Sequence, residues 1–175
     1  MSIAEYAAAV VEFIKNHESM AAPIVFALAL GESLAFLSLL LPATVILLGI
    51  GGLLGASGIP LVPVFIAGAA GSIIGYGISY YLGLYFKDSM HKIWPFTTHP
   101  DMIPRSKALF DKWGALGVFM GHFFGPVRAV IPVVAGMYQL QPLKFWTANI
   151  ISSCLWAFGI LAPGALGLKF FGFMT

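Results

Sequence analysis

The sequence predicts an all-α polytopic membrane protein built from two inverted repeats. Each repeat is a re-entrant helical hairpin followed by a transmembrane helix, and the two hairpin tips face each other near the membrane midplane. Composition supports this first, because the 175 residues are 59% hydrophobic and only 9% charged, whereas soluble domains carry about 25% charged residues. The other two observations are a long uncharged run in the first half and a proline and glycine pattern that returns in the second.

Charge and cysteine content exclude several other classes of protein. The net charge of +2 is small and scattered along the chain, so no nucleic-acid partner is expected. The single cysteine, Cys154, cannot form an internal disulfide and is expected to be a small packing residue. The length suits one membrane domain over residues 1–175.

The N-terminal part is predicted to form helices over residues 1–30. Apolar residues over 3–16 recur at helical spacing, with Glu5, Glu12 and Lys15 set apart from them. This pattern is typical of a short helix lying at the membrane interface, or of a helix that docks on a partner.

From Ser33 to Phe86 the sequence contains no Asp, Glu, Lys, Arg or His. This run is far longer than the ~20 residues that cross a bilayer, so it must be divided. The residues that break it are Pro42, the glycines over 49–52 and 55–58, and Pro60. We therefore predict a re-entrant hairpin over 31–58 with its tip near Pro42, and a transmembrane helix over 60–86.

The main polar segment, residues 87–112, is predicted to be an extramembrane loop followed by an amphipathic helix near Pro104 to Lys112. His91 and His99 have no suitably placed third ligand, so we expect solvated loop histidines and no metal site. No cofactor is predicted.

The apolar sequence pattern then repeats. A second re-entrant hairpin is predicted over 113–139, and a second transmembrane helix over 142–171. Pro42 aligns with Pro126 at the same offset that aligns Gly52 with Gly136.

Such a duplicated pattern of breakers indicates internal repeats and a binding site between them. Because one span separates the hairpins, they enter from opposite faces of the membrane. Their tips then meet near the midplane.

The second hairpin places Arg128 inside apolar sequence, next to two helix breakers. An arginine at membrane depth is costly and marks a functional site. Gly125 and Pro126 interrupt the helix just before it. Broken backbone at membrane depth occurs only where it is buried in protein or lines a watery cavity. We therefore predict that Gly125 and Pro126 form part of the hairpin tip and of the binding site.

Arg128 is the predicted phosphate-binding residue. A guanidinium stays charged and presents a planar fork of donors that matches a phosphate. The alternative is a structural ion pair with Glu32, although such a pair adds little stability over apolar packing.

Glu32, His122 and Thr44 complete the predicted substrate site, and each has a simpler interpretation. Glu32 neutralises Arg128 in the empty site and carries a proton, or it lies solvated at a hairpin entrance. His122 titrates near neutral pH, or donates to a backbone carbonyl. Thr44, opposite Arg128 in the repeat, offers its hydroxyl to the site or bonds its own helix.

The last predicted span carries a polar stripe. Asn149, Ser152 and Ser153 are expected to form hydrogen bonds between helices rather than to line a substrate path.

These motifs resemble the DedA family, also called the VTT or SNARE-associated domain family. The similarity covers roughly residues 31–159. It rests on Glu32 ahead of Leu-Leu-Pro at 40–42, on the glycine-rich stretch 71–83 and, most specifically, on Phe-Gly-Pro-Val-Arg at 124–128. Further matching positions are Pro132, Ala-Gly-Met at 135–137, Asn149 and Trp156.

The resemblance implies lipid transport across a bilayer by two facing hairpins, and a multi-pass location in the bacterial inner (cytoplasmic) membrane. Bacterial members include carriers of undecaprenyl phosphate, and eukaryotic relatives are phospholipid scramblases. The implied partners are therefore membrane lipids, a polyprenyl phosphate or a phospholipid. Arg128 matches the second arginine of the family motif and Glu32 its first acidic residue. The sequence leaves a homo-oligomer open.

The chain also departs from the family pattern. The family often has an arginine at the position of His122, an acidic residue at positions 43–44 and an aspartate at the position of Ser72. Two acidic positions are thereby lost, which leaves Glu32 and His122 as the candidates for proton coupling. Downhill flipping of lipid is more compatible with so sparse a set.

Other classes of function remain open at this point. A proton-coupled transporter of small ions, or an assembly factor for membrane proteins, would also use a buried arginine, as a gate. A lipid-phosphate enzyme would need a nucleophile with a base, or carboxylates that hold a metal. No such set is visible in the sequence, so no enzymatic activity is expected.

Overall fold

The computed structural model describes residues 3–34, 43–87, 89 and 97–172, and within these ranges all regular structure is helical. In chain order the α-helices are α1 (Ile3–Asn16), α2 (Ala21–Ser33), α3 (Ala43–Ser57), α4 (Leu61–Phe86), α5 (Met102–Trp113), α6 (Ala115–Gly121), α7 (Gly125–Met137) and α8 (Pro142–Gly172). A single 3₁₀ turn, Glu18–Met20, joins α1 to α2. The tip predicted near Pro42 lies outside the described residues.

Among the described helices, two contain a segment that is long and apolar enough to cross a membrane. They are Leu61–Phe86 with 26 residues and Pro142–Ala165 with 24 residues. At 1.5 Å per residue each is at least ~36 Å long, which exceeds the ~30 Å of a hydrocarbon core. The predicted all-helical fold is therefore confirmed within the described residues, with two candidate membrane spans at the centre of the structure.

The shorter helices pack around α4 and α8 in a crossed arrangement. α2 lies along α4 and α6 lies along α8, so each of these helices contacts the long helix that follows it in its own half of the chain. α3 lies along α8 and α7 lies along α4, so these two contact the long helix of the other half. The two halves of the chain are thus interlocked around the α4–α8 contact.

Close approach of these helices depends on small residues. A Cβ added at Gly75 of α4 would lie 2.7 Å from the carbonyl oxygen of Leu30 in α2. A Cβ added at Gly55 of α3 would lie 2.7 Å from the carbonyl oxygen of Gly164 in α8. These are the close helix–helix contacts that small residues allow in lipid.

The glycines at 49–52 do not break the first hairpin as expected. α3 runs without interruption from Ala43 to Ser57. Gly51 is needed for packing, because a Cβ there would lie 2.9 Å from the carbonyl oxygen of Leu161. The glycines in this segment therefore serve the contact with α8, which a single sequence does not distinguish from helix breaking.

Two segment boundaries also differ from the prediction. α2 continues through the expected boundary at residue 30 and ends at Ser33, so Glu32 belongs to its last turn. The amphipathic helix α5 begins at Met102, two residues before Pro104. Proline is tolerated in a first helical turn because its missing N–H would have no partner there.

α1 covers the outer side of α3. Ile14 is fully buried, whereas the preceding residue, Phe13, is 46% exposed. The contact with α3 accounts for the buried stripe of this amphipathic helix. Its exposed residues are compatible with the predicted position at the membrane interface.

We predict that Gly136→Ala destabilises the fold, because α7 and α4 touch backbone to backbone at this position. An added Cβ would lie 2.6 Å from the backbone nitrogen of Leu84, and overpacking of this kind costs about 1–3 kcal/mol. Thermal unfolding in detergent should show a melting temperature lower by about 2–12 °C.

Gly159→Ala is the matched control, since nothing lies within 4 Å of a Cβ added there in α8. Alanine should be neutral or slightly stabilising at that position. Equal stability of the two variants would contradict the described contact between α7 and α4.

Candidate functional site

The candidate site lies where helix ends meet the middles of α4 and α8. The last turn of α2 supplies Glu32 and Ser33, the first turn of α3 supplies Thr44, and the first turn of α7 supplies Arg128. These residues come from both halves of the chain. They meet inside the protein, where all four side chains except that of Thr44 are buried.

Arg128 and Glu32 form a buried ion pair. Arg128 Nη1 donates to Glu32 Oε1 at 3.1 Å, and Nη2 donates to Ser33 Oγ at 3.3 Å. Both charged residues are only 5% exposed. The interpretation of Glu32 as a solvated residue at a hairpin entrance is therefore wrong, because the helix α2 carries its side chain inward onto α7.

The ion pair has two unused hydrogen-bonding atoms. Among the described residues, neither Arg128 Nε nor Glu32 Oε2 has a hydrogen-bond partner, although both atoms are buried. Buried polar atoms without partners are uncommon and cost free energy. Within the described part of the chain, the pair thus has one donor and one acceptor without a partner, and a ligand could use both.

Thr44 also holds the carboxylate. Its hydroxyl donates to Glu32 Oε1, the same oxygen that accepts from Arg128. Thr44 is in the first turn of α3, where the helix dipole also favours a negative charge. The hydroxyl therefore serves the charged pair, not the backbone of its own helix.

Arg128 is fixed by two further contacts. Its guanidinium carbon lies 4.1 Å from the centre of the Trp156 ring, which is a cation–π contact with α8. The hydroxyl of Tyr76 in α4 donates to the Arg128 carbonyl oxygen at 3.1 Å. The guanidinium is therefore held against α8, and the backbone of the same residue is held by α4.

The helix break that positions Arg128 lies at residues 122–124. Phe124 is extended, with φ −101° and ψ 94°, and α7 begins at the next residue, Gly125. Pro126 occupies the second helical position, where proline is well tolerated. An interruption before Arg128 is observed, but it lies at residues 122–124 and not at Gly125 and Pro126, which belong to the first turn of α7. Direct contact of Gly125 or Pro126 with a substrate stays a prediction.

His122 lies beside this pair and bonds to two serines. Its Nε2 is 3.3 Å from Ser72 Oγ and its Nδ1 is 3.1 Å from Ser152 Oγ. The ring stacks on Tyr76 with centroids 4.3 Å apart, and it is only 1% exposed. The expected bond to a backbone carbonyl is not formed, because hydroxyl groups of α4 and α8 occupy both ring nitrogens.

A chain of hydroxyl groups connects Arg128 to His122. Ser33 Oγ accepts from Arg128 and donates to Ser72 Oγ at 3.0 Å, and Ser72 Oγ contacts the ring of His122. On the far side of the ring, Ser152 Oγ donates to the Asn149 carbonyl oxygen at 3.2 Å. The chain therefore runs from a cation to a backbone carbonyl.

The two ends of this chain have fixed roles, because the guanidinium can only donate and the carbonyl can only accept. Between them, Ser33 donates to Ser72 and Ser152 donates to the Asn149 carbonyl oxygen. The two contacts to the His122 ring depend on its tautomer. One arrangement that satisfies every bond is a neutral His122 that donates from Nδ1 to Ser152 and accepts at Nε2 from Ser72.

The polar stripe of α8 behaves as predicted. Asn149 Nδ2 donates to the Ile73 carbonyl oxygen of α4 at 3.0 Å, and Ser153 Oγ donates to Asn149 Oδ1 at 3.1 Å. The first bond joins α8 to α4 and the second lies within α8, whereas Ser152 bonds to His122. Hydrogen bonding between elements is therefore confirmed for Asn149 and Ser152.

Sequence reasoning missed Ser33 and the role of Tyr76. A signal for Tyr76 exists in the sequence, because the spacing of Ser72, Tyr76 and Ser79 places three hydroxyls on one face of the apolar helix α4. In α2, Ser33 adjoins Glu32, and its importance shows only once α2 is packed on α4. His99 is exposed, and His91 lies outside the described residues.

Comparison with known proteins identifies the family. The VTT domain family matches residues 41–166. The inner membrane protein YabI of Escherichia coli is 37% identical over 142 residues, covering 77% of this chain and 53% of the relative. An uncharacterized membrane protein of Buchnera aphidicola is 35% identical over 133 residues, covering 76% of this chain and 52% of the relative.

A more distant relative has a functional name. The undecaprenyl phosphate transporter A of Staphylococcus aureus is 26% identical over 142 residues, covering 77% of this chain and 70% of that protein. No solved structure matches the chain at a significant level.

The match to the VTT domain spans most of the chain, whereas the chain spans about half the length of the first two relatives. The predicted location in a bacterial inner membrane is confirmed by these matches. The chain is a membrane protein of the VTT-domain (DedA) family.

Proposed function

We propose that this protein is a lipid transporter, of the flippase or scramblase type, in which Arg128 binds the phosphate headgroup of the lipid. The single observation that carries the proposal is the buried Arg128–Glu32 pair with its unused donor and acceptor. The lipid tail stays in the bilayer while the headgroup crosses between the two halves of the chain.

The chemistry of the site fits a phosphate. Arg128 offers a planar fork of N–H donors, and its Nε is free among the described residues. The start of α7, three residues before Arg128, adds the partial positive charge of a helix N-terminus. A phosphate monoester or diester placed there would receive charge-assisted hydrogen bonds in a site of low dielectric constant.

Glu32 acts in this proposal as an internal substitute for the phosphate. The carboxylate neutralises Arg128 when no lipid is bound, which lowers the cost of keeping the cation buried. An incoming phosphate displaces the carboxylate from Nη1, and Thr44 continues to donate to Glu32 after the exchange. Arg128 thus has an anionic partner in either state.

His122 and Glu32 stay the candidates for proton coupling. A proton added at Nε2 of His122 would leave Ser72 without its acceptor, so the hydroxyl chain would have to reverse or break. The bond that Ser33 provides to Arg128 would then change as well. This linkage is the route by which a proton would influence the phosphate site.

The two inverted repeats belong to the same proposal. In support, Gly164 of α8 touches the backbone of Gly52 in α3, and Gly136 of α7 touches the backbone of Tyr80 in α4. The offset that aligns Gly52 with Gly136 also aligns Tyr80 with Gly164. Corresponding contacts therefore occur in both halves, and Arg128 and Thr44 are corresponding residues at the start of α7 and α3.

The lipid class follows from the anionic headgroup and from one relative. A distant relative is named undecaprenyl phosphate transporter, and a polyprenyl phosphate presents a phosphate monoester to the guanidinium. A phospholipid presents a diester, which has fewer free oxygens for the fork. We therefore favour a polyprenyl phosphate as the substrate.

The first test is transport by Arg128 variants in proteoliposomes. Arg128→Ala should lower the rate of flipping at least about tenfold, because a hydrogen-bonded charge contributes about 1.5–3 kcal/mol. Arg128→Lys should keep part of the rate, since it retains the charge but loses the planar fork. Flipping is measured with a polyprenyl phosphate and with fluorescent short-chain phospholipids, at several pH values.

Arg105→Ala serves as the control for this test, because Arg105 pairs with Asp101 on the exposed surface. It should transport like the wild type. A rate for Arg128→Ala within about twofold of the wild type would refute the assignment of Arg128.

The second test separates substrate binding from a purely structural ion pair. Glu32→Ala leaves a buried cation without its partner and should destabilise the protein by about 3–5 kcal/mol. The double variant Glu32→Ala with Arg128→Ala removes both charges and should regain much of that stability, yet it should not transport lipid. Unfolding in mixed micelles gives the stability, and proteoliposomes give the transport rate.

Asp101→Ala, which breaks an exposed pair, should change stability little. Normal transport by the stable double variant would assign the pair to structure alone.

A further inference from the structure

A second site for lipid lies outside the buried pair, in a groove between α6 and α8. The groove has a volume of about 400 Å³ and is lined by Ala115, Leu116, Phe119, Leu143, Lys144, Thr147, Ala148 and Ile151. All of these except Lys144 and Thr147 are apolar. Because the hydroxyl of Thr147 donates to the Leu143 carbonyl oxygen, it offers no unused donor to a ligand.

One end of the groove carries a positive charge. Lys144 is exposed in the first turn of α8, at the mouth of the groove. By contrast, Arg105 and Lys107 pair with aspartates and Lys112 lies over the Trp113 ring. Within the part of the chain that the structure describes, no acidic partner is recorded for Lys144.

The backbone at this mouth adds to that charge. α8 begins at Pro142, and Phe145 N is the first amide that donates back along the chain, to the Gln141 carbonyl oxygen at 3.0 Å. The amides of Leu143 and Lys144 therefore precede the hydrogen-bonded part of the helix. A helix N-terminus with free amides and a lysine attracts an anion.

The other end of the groove lies near the middle of α8. From Lys144 to Ile151 the groove follows α8 for ~10 Å, at 1.5 Å per residue. Ser152, the residue after Ile151, is buried and lies 3.1 Å from His122, which follows the last residue of α6. The inner end of the groove is therefore one residue along α8 from the hydroxyl chain that contacts Arg128.

We propose that the α6–α8 groove binds a polyprenyl phosphate before transport, with the phosphate on Lys144 and the start of α8 and the first part of the hydrocarbon chain along the groove. A single apolar groove with one cation at its end matches a lipid whose phosphate is attached directly to one hydrocarbon chain. A phospholipid has two chains and a glycerol between them and the phosphate. The choice of lipid class rests on the proposed function, while the site itself does not require Arg128.

A neighbouring groove provides an internal comparison. It lies between α4 and α8, has a volume of about 420 Å³, and is lined by Ile74, Gly77, Ile78, Tyr81, Leu82, Tyr85 and Trp146. None of these residues is charged. Bulk membrane lipid fills two apolar grooves of similar size equally, whereas a lipid held through its phosphate prefers the groove that has the lysine.

The test is photo-crosslinking of the purified full chain in phospholipid nanodiscs. The probe is a polyprenyl monophosphate with a photoreactive group near the phosphate end of its chain, and labelled residues are located by mass spectrometry. We expect label at Leu116, Phe119 and Ile151 in excess of label in the α4–α8 groove. Lys144→Gln should lower labelling about fivefold, the usual effect of one lysine on binding to an anionic lipid surface.

Matched variants separate the groove from general effects. Ile151→Trp fills the groove and should abolish most of the labelling, whereas Ile150→Trp, on the exposed position next to it but outside both grooves, should not. Lys15→Gln removes an exposed cation from α1 and should leave labelling unchanged. Size-exclusion profiles identify any variant that fails to fold, and Leu116→Trp then replaces Ile151→Trp.

The outcomes are distinct for the two proposals. Equal labelling of both grooves, equal labelling by a photoreactive phospholipid, or labelling insensitive to Lys144→Gln would overturn the groove site and assign it to bulk lipid. Arg128→Ala should leave groove labelling intact while transport is lost. Normal transport by Arg128→Ala would overturn the proposed function without affecting the crosslinking result.

Discussion

The structure depends on one costly interaction, a guanidinium paired with a carboxylate inside an apolar helical protein. Moving either charge out of water costs several kcal/mol, and the attraction between them offsets this only when the geometry and the surrounding hydrogen bonds are good. Here the carboxylate receives Arg128 and Thr44 on one oxygen, and the guanidinium is attached to Ser33 and Trp156. Three helix ends and α8 must therefore meet at one point, which dictates how the two halves interlock.

The crossed packing of the short helices is the means by which this point is formed. α7 must cross to α4 for Arg128 to reach α2, and it can do so only where side chains are absent, as at Gly83 and Gly136. α2 likewise lies close to α4 because of Gly71 and Gly75. The glycines distributed over α4 are thus a condition for the ion pair, although none of them touches it.

Much of this was accessible from the sequence, because the relevant signals are local. Composition and spacing directly indicate the uncharged run, the break before Arg128 and the isolated ionisable residues at 32, 122 and 128. The partners of those charges were less accessible, since they depend on which helix faces which. Ser33 contacts Arg128 although 95 residues separate them, and the sequence alone gives no reason to prefer Ser33 over other serines. The prediction that the glycines at 49–52 break the helix was wrong for a related reason. A glycine that lets a neighbouring helix approach closely looks the same in the sequence as a glycine that ends a helix.

The hydroxyl chain explains why an apolar protein keeps a histidine next to an arginine. A second positive charge beside Arg128 would be repelled strongly by the guanidinium, because the dielectric constant inside the protein is low. With Ser33 donating to Ser72 and Ser152 donating to the Asn149 carbonyl oxygen, a neutral ring completes every bond of the chain. A neutral His122 then adds hydrogen bonds beside the Arg128–Glu32 pair without adding charge. A proton added to this ring would place a second cation near Arg128 and remove the acceptor at Nε2, so it would change the surroundings of Arg128 through Ser72 and Ser33.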